Sequence, residues 1–430
     1  MGRQNLFMPY VALIVGALTG CVGEVDREGV GDGAQHINEG VCAANVCAQF
    51  DAFADEDPAV STDDRVIVNH VKSLFMNAKR GSVVHGAIYR LALDDVTDQI
   101  IDAASKSRGV KVSLVVDGCL DPARFCKKAN ENSKKQIKRL VKHSKKKNSE
   151  LTIKFCHNRG RACSSDHPNG IQHSKYFIFS STAMKTSDAD TRIKDVEHVV
   201  WIGSANMTTT TGVQAFNDSL TFFNANGLYE AMLSYHRDQK RYSESRSAID
   251  GSAATVYLFP AAHGNPLTDS LRGHLANVSA GACNIKVAHM SFDLARVSNV
   301  FREFVRSKKC KLQVIIGRGT VNDGLLEELA GADPDPDDDG DGSVEVRRWR
   351  GGSAGALHSK MVALQYVDVG GTERYVVYTG SHNLTEESTN RNDEVLVEVA
   401  NRSLHDGYVA HFGRYWQLPA GGSYWYPVPP

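Results

Sequence analysis

A strand–helix–strand pattern occurs twice in this chain of 430 residues, about 200 positions apart, and each copy leads into the same pair of short motifs. In the first copy, Val83 to Tyr89 is rich in β-formers, Val96, Ile100, Ile101 and Ala104 recur at helical spacing, and Gly109 closes the helix before a strand from Val110 to Val116. In the second, Ile285 to Ala288 is followed by a helical stripe of Val297, Val300, Phe301, Phe304 and Val305, then by a strand from Lys311 to Ile316. Strand, helix and strand joined by a short turn imply a parallel βαβ unit. Each unit continues through a further helix and strand into a hydrophobic hairpin. The first hairpin carries His173-Ser174-Lys175 and Gly203-Ser204-Ala205-Asn206; the second carries His358-Ser359-Lys360 and Gly380-Ser381-His382-Asn383. The chain therefore reads as a duplicated α/β architecture, its halves joined near residue 250.

Strand geometry explains the motif spacing. Residues two apart share one face of a strand, so His173 goes with Lys175 and His358 with Lys360. The return strands, Val199 to Ile202 and Tyr375 to Tyr378, end at Gly-Ser turns that bring Asn206 and Asn383 beside the histidines. Twelve residues past Asn206 stands Asp218, and eleven past Asn383 stands Glu394.

The paired His-x-Lys and Gly-Ser-x-Asn pattern resembles the phospholipase D superfamily. That resemblance implies two pseudo-twofold-related domains, residues 61–250 and 251–430, each a mixed sheet flanked by helices, with one phosphodiester site at their interface. It implies His173 as nucleophile and His358 as acid/base, with Ser204 and Ser381 at the substrate phosphate. An acid at the place of Glu394 and Asp218 is implied to hold a histidine ring by its other nitrogen. Lys175, Lys360, Asn206 and Asn383 would stabilise the anionic transition state without metal or other cofactor. The chain departs from the family pattern five residues after each lysine, where Ser180 and Gln365 replace an aspartate.

The first 60 residues read as address and tether. Arg3 precedes an apolar run, Leu6 to Ala17, too short to span a bilayer. It runs into Leu18-Thr19-Gly20-Cys21, which resembles a bacterial lipobox and implies lipidation of Cys21, with an ordinary secretory signal as the alternative. Residues 22–60, rich in glycine and acid, read as a tether. The implied place is the bacterial cell envelope, lipid-anchored, or alternatively the medium. In an oxidising compartment the other eight cysteines suggest disulfides, and proximity pairs Cys42 with Cys47, Cys119 with Cys126, Cys156 with Cys163, and Cys283 with Cys310. A zinc site is the weaker alternative.

Composition limits function less than the motifs do. With 49 Lys plus Arg against 50 Asp plus Glu, net charge does not point to a polyanion partner. Charge is locally uneven: ten basic residues and one acid lie between Lys127 and Lys147, with Ile137, Leu140 and Val141 at helical spacing, so the run reads as an amphipathic helix. Asp335 to Asp341 opens like a calcium loop but has Val346 where a bidentate glutamate belongs, and reads as an acidic linker. Tyr424 to Pro427 reads as an interfacial anchor or a packed terminus. The leading expectation is a monomeric, exported enzyme that hydrolyses or transfers phospholipid headgroups. A nuclease or other phosphodiesterase using the same residues is the alternative, and a non-catalytic binding protein the third.

Overall fold

The computed structural model describes residues 40–51, 64–127, 129–157, 160–242, 248–250, 254–261, 265–333, 342–349, 355–417 and 425–427. Cys21, most of the tether and the Asp335–Asp341 segment lie outside the described residues.

The first sheet is built from β1 (Gly40–Ala43), β2 (Val46–Phe50), β3 (Val83–Ile88), β4 (Lys111–Val116), β5 (Leu151–Phe155), β6 (Tyr176–Met184) and β7 (Lys194–Gly203). After a two-residue strand β8 (Ala215–Phe216), β9 (Asp218–Phe222) completes it in the order β1-β2-β9-β7-β6-β3-β4-β5. The second sheet uses β10 (Ala248–Asp250), β11 (Thr255–Phe259), β12 (Val278–His289), β13 (Lys311–Ile316) and β14 (Val344–Trp349). Past the short β15 (Ala356–Leu357) come β16 (Lys360–Asp368), β17 (Glu373–Gly380), β18 (Glu394–Ala400) and β19 (Trp425–Pro427). Its order, β10-β11-β18-β17-β16-β12-β13-β14-β19, repeats the first strand for strand and adds β19 at one edge. In both sheets the βαβ strands are parallel and the motif hairpin is antiparallel.

This correspondence corrects the tether. Gly40 to Phe50, which composition assigned to it, form the edge hairpin of the first sheet, the counterpart of β10 and β11. The Cys42–Cys47 disulfide closes that hairpin across its turn. Glycine and acid content misled there because a covalent clamp and a vacant sheet edge order a segment that its own side chains do not. Strand β19 pairs with β14, so the backbone of Trp425 to Pro427 belongs to the sheet.

Helices cover the outer faces: α1 (Val66–Met76), α2 (Asp94–Ala103) and α3 (Glu131–Ser144) on the first sheet; α5 (Pro266–Asn277), α6 (Ala295–Lys308) and α7 (Asp323–Ala330) on the second. Their apolar residues recur every three to four positions, as Val96, Ile100 and Ala103 do in α2, and those residues are buried. The basic run forms α3, with Ile137 and Leu140 buried and its lysines largely outward. The inner faces share one core: Tyr176, Ile178, Val200 and Leu220 from one sheet, Met361, Ala363, Val377 and Val395 from the other. Packed into it are α4 (Asn226–Arg241) and α9 (Arg402–Trp416). With both sheet faces buried, central strands read as continuous apolar runs. A one-turn helix, α8 (Glu386–Asn390), follows the second Gly-Ser-x-Asn.

Cys156–Cys163 and Cys283–Cys310 are bridged, as proximity suggested. Cys119 and Cys126 are not: both are free thiols, although the Cys126 amide donates to the Cys119 carbonyl at 3.1 Å. A backbone hydrogen bond already closes this turn without the covalent link.

Candidate active site

The segments carrying His173 and His358 are not interior strand positions. Each leads into its strand, and each pairs with the opposite half. Gln172 bridges Asp393 in parallel, and the His173 amide donates to the Asp393 carbonyl at 3.0 Å. In the same way β15 runs parallel to β8, and the His358 amide donates to the Phe216 carbonyl at 3.0 Å. This reciprocal exchange fixes both motif histidines against residues from the other half.

The ring contacts follow from that register. His173 Nδ1 meets Glu394 Oε1 at 2.7 Å, whereas His358 Nδ1 meets Asn217 Oδ1 at 2.9 Å. Asp218 therefore does not hold a histidine. Its carboxylate accepts from Thr379 Oγ1 and from the Lys360 amide. The reason is a one-residue register: Phe216 stands where Asp393 does, so Asn217, not Asp218, is the counterpart of Glu394. Neighbouring residues in extended chain face opposite sides, and one step moves a side chain off the histidine. The sequence held this signal, because Asn217 and Glu394 both lie eleven residues past the motif asparagine.

The two serines are also reassigned. Ser204 Oγ donates to Asn217 Oδ1 at 3.1 Å, and Ser381 Oγ donates to Glu394 Oε2 at 2.5 Å. Both are fully buried behind the histidine partners, so they position those partners rather than touch phosphate. The motif glycines allow this close approach. A Cβ on Gly380, whose φ is +147°, would stand 2.3 Å from the Val395 carbonyl oxygen, and one on Gly203 would stand 2.8 Å from Ser219 Cβ.

A cavity of about 690 Å³ opens between the halves, and His173, His358, Asn206 and Asn383 line it. Both histidines are tied through Nδ1, which leaves each Nε2 for chemistry. Asn206 Nδ2 donates to Thr211 Oγ1 at 2.9 Å, and its Oδ1, like that of Asn383, is buried without a partner among the described residues. A half-turn of either amide presents NH₂ to a bound phosphate. Lys175 and Lys360 lie below the lining, each ammonium donating to the carbonyl of its own histidine, at 2.6 and 2.7 Å. Tyr89, read from the sequence only as part of a strand, packs edge-on against the His173 ring with centroids 4.6 Å apart, and its ring centroid lies 5.2 Å from the Lys175 ammonium.

Burial dominates the electrostatics. It pushes His173 down to about 4 even against the Glu394 carboxylate, and His358 well below the ordinary imidazole value, with Lys360 and Lys175 adding to the effect. Burial also lowers Lys175 and brings Lys360 down to about 8. Glu394 goes the other way: burial opposes ionisation, but His173 and Lys175 outweigh it and hold the carboxyl at about 2. The empty site thus contains neutral imidazoles and strained cations around one carboxylate, and an arriving phosphodiester anion relieves that strain. Cys156, Cys163 and Asp393 offer metal-ligating atoms within 4.8 Å of one another, but the disulfide consumes both thiolates.

A family model described as cardiolipin synthase, PLD-like domain, matches residues 279–416, from β12 through α9. The second half of the chain thus carries a phospholipase D-like domain. The fold is similar to that of phosphatidylserine synthase from Haemophilus influenzae Rd KW20, with a TM-score of 0.54 and 12% identity over 88% of each chain. Polyphosphate kinase from Porphyromonas gingivalis aligns with a TM-score of 0.53 and 12% identity over 86% of this chain, which spans 50% of that structure. No curated protein matches the sequence.

Proposed function

We propose that this protein hydrolyses or transfers phospholipid headgroups, with His173 as nucleophile and His358 as general acid and base. The unequal partners of the two histidines carry the assignment. Glu394 accepts the Nδ1 proton of His173, aims the Nε2 lone pair into the cavity and offsets the positive charge that appears when that nitrogen binds phosphorus. His358 takes up a proton from solvent on Nε2 as the phosphodiester anion binds; as the P–N bond forms, the bond to the leaving oxygen breaks, and that oxygen takes this proton. Asn217 orients His358 without adding charge, which keeps the ring a stronger acid than a carboxylate would. His358 then deprotonates water or an acceptor alcohol, whose oxygen attacks phosphorus and releases His173. Lys175 and Lys360, held in their charged form by the bound anion, stabilise the negative oxygens from below.

Lipid is favoured over other diesters because the matched family model and the full-length structural neighbour both bear the names of phospholipid synthases. The Leu-Thr-Gly-Cys box adds support, since acylation of Cys21 would place the enzyme at a membrane. The second reading, a nuclease, draws on the exposed lysines of α3, a helix whose first turn lines the same cavity. One experiment separates the readings: residues 22–430 are offered phosphatidylglycerol vesicles and single-stranded DNA side by side, with EDTA present. Headgroup release with DNA intact is expected; DNA cleavage with lipid untouched would overturn the lipid reading. Mass spectrometry of the mature N-terminus is expected to find acyl chains on Cys21, and an unmodified start elsewhere would remove the membrane argument.

A further inference from the structure

Asp51, the residue after β2, is fully buried and reaches the shell behind His358. Its amide donates to the Asn217 carbonyl at 3.1 Å, and Asn217 Nδ2 donates back to Asp51 Oδ2 at 3.4 Å. The other oxygen, Oδ1, accepts the Ile67 amide from the first turn of α1 at 3.1 Å. Asn217 Nδ2 also donates to the Ala215 carbonyl at 2.9 Å, while Asn217 Oδ1 accepts from Ser204 Oγ and meets His358 Nδ1. Burial, and then the neighbouring Asp64, push the Asp51 carboxyl well above the usual carboxylate range, so it adds little negative charge behind Asn217. The second half has no such residue. Phe50 pairs with Asp218 as Leu258 pairs with Val395, so the place of Asp51 is taken there by Phe259. The histidine partner that is an amide has an acid behind it; the one that is a carboxylate has an apolar ring.

That difference follows from what an amide is. Its oxygen and NH₂ have almost the same shape, so packing alone does not choose which end faces a neighbour; hydrogen-bond chemistry does. The Ala215 carbonyl and the Asp51 carboxyl both accept, so together they hold the NH₂ and turn the oxygen toward Ser204 Oγ and His358. An oxygen at His358 Nδ1 requires the proton on Nδ1, which leaves Nε2 bare and able to take a proton. Turned over, Asn217 would donate to Nδ1 and select the other tautomer, whose Nε2 is already occupied and cannot serve as a base. A carboxylate accepts at both ends and needs no such control. We infer that Asp51 is a positioning residue for the acid/base histidine: it fixes the Asn217 amide and, through it, the tautomer of His358. This rests on the role proposed above for His358 and names the residue that keeps the ring in that role.

Nitrogen NMR spectra of the protein labelled at histidine test it, with His358 assigned by the signals that His358→Ala removes. The wild type is expected to carry the His358 proton on Nδ1, with Nε2 bare. Asp51→Ala removes one of the two acceptors that hold the NH₂ and should leave a mixture of tautomers. In the same variant kcat for an alkyl phosphodiester should fall about tenfold, with KM changed by less than about threefold. The loss should shrink to about threefold or less in the burst from a p-nitrophenyl diester, whose leaving group needs no acid. Asp51→Asn keeps the shape but exchanges one accepting oxygen for NH₂; it should act in the same direction, and it decides if Asp51→Ala does not fold. A wild-type ring protonated on Nε2, or a single Nδ1–H tautomer retained in the folded variant, would overturn the inference. Wild-type turnover of the diesters alongside that retained tautomer defeats only the role of Asp51. A tautomer that shifts in the variant, in a protein that turns over no diester, upholds the hold of Asp51 on the ring and defeats the catalytic reading.

Discussion

In the first half the motif histidine is held by a carboxylate, in the second by an amide, although the two sheets have the same strand order and both histidines are placed by the same cross-half bridge. The supporting shell is conserved in kind: Ser381 braces Glu394 just as Ser204 braces Asn217. The two halves thus hold equivalent positions, and the charge of the partner residue differentiates them. In the proposed mechanism, the charged oxygen favours the ring that carries a phosphoryl group, and the neutral oxygen the ring that gives up a proton. A carboxylate beside both rings would raise the basicity of both and weaken the acid.

The largest expected effect comes from removing either ring. His173→Ala and His358→Ala should each lower kcat for a natural diester by about 10⁴-fold or more. A diester with a p-nitrophenyl leaving group needs no acid, so it should partly rescue His358→Ala and leave His173→Ala inactive. Equal rescue of both variants would dissolve the division of labour. Altering the partners comes next. Glu394→Gln should reduce kcat by about 10²-fold, while Asn217→Asp, which makes the halves alike, should reduce it by about tenfold. If Asn217→Asp raised kcat instead, the amide would not be serving the acid.

A smaller, graded effect is expected with pH. Lys360 helps only when protonated, and burial lowers it to about 8. The free-enzyme profile, kcat/KM, should therefore fall as pH rises through about 8 as its charge is lost. A flat profile to pH 10 would show that Lys360 keeps its proton or is not required. The smallest effect is expected at the free thiols. Cys119→Ser should move the melting temperature by less than about 2 °C, whereas Cys156→Ser, which opens the loop whose amides hold Asp393, should lower it by several degrees. A comparable drop for Cys119→Ser would mean that it is bridged to Cys126.

Much was legible in the sequence because it depends on neighbours along the chain. Helical spacing marked α2, α3 and α6, alternation and turns marked the motif hairpins, and short separations marked two disulfides, with Cys283–Cys310 as the remaining pair and Cys119–Cys126 as the pair that is not bridged. The doubled His-x-Lys and Gly-Ser-x-Asn pattern was enough to indicate the superfamily. Tertiary structure decided what the two halves do to each other. Glu394 lies 221 residues from the ring it holds and Asn217 lies 141 from its own, and no local rule pairs residues across such distances. The register between halves put Asn217 in place of Asp218, and burial between the two sheets lowers the pKa of both histidines and both lysines. Those are properties of packing: extended chain turns a side chain over with each single step, and a charge changes its cost when the second half closes over it.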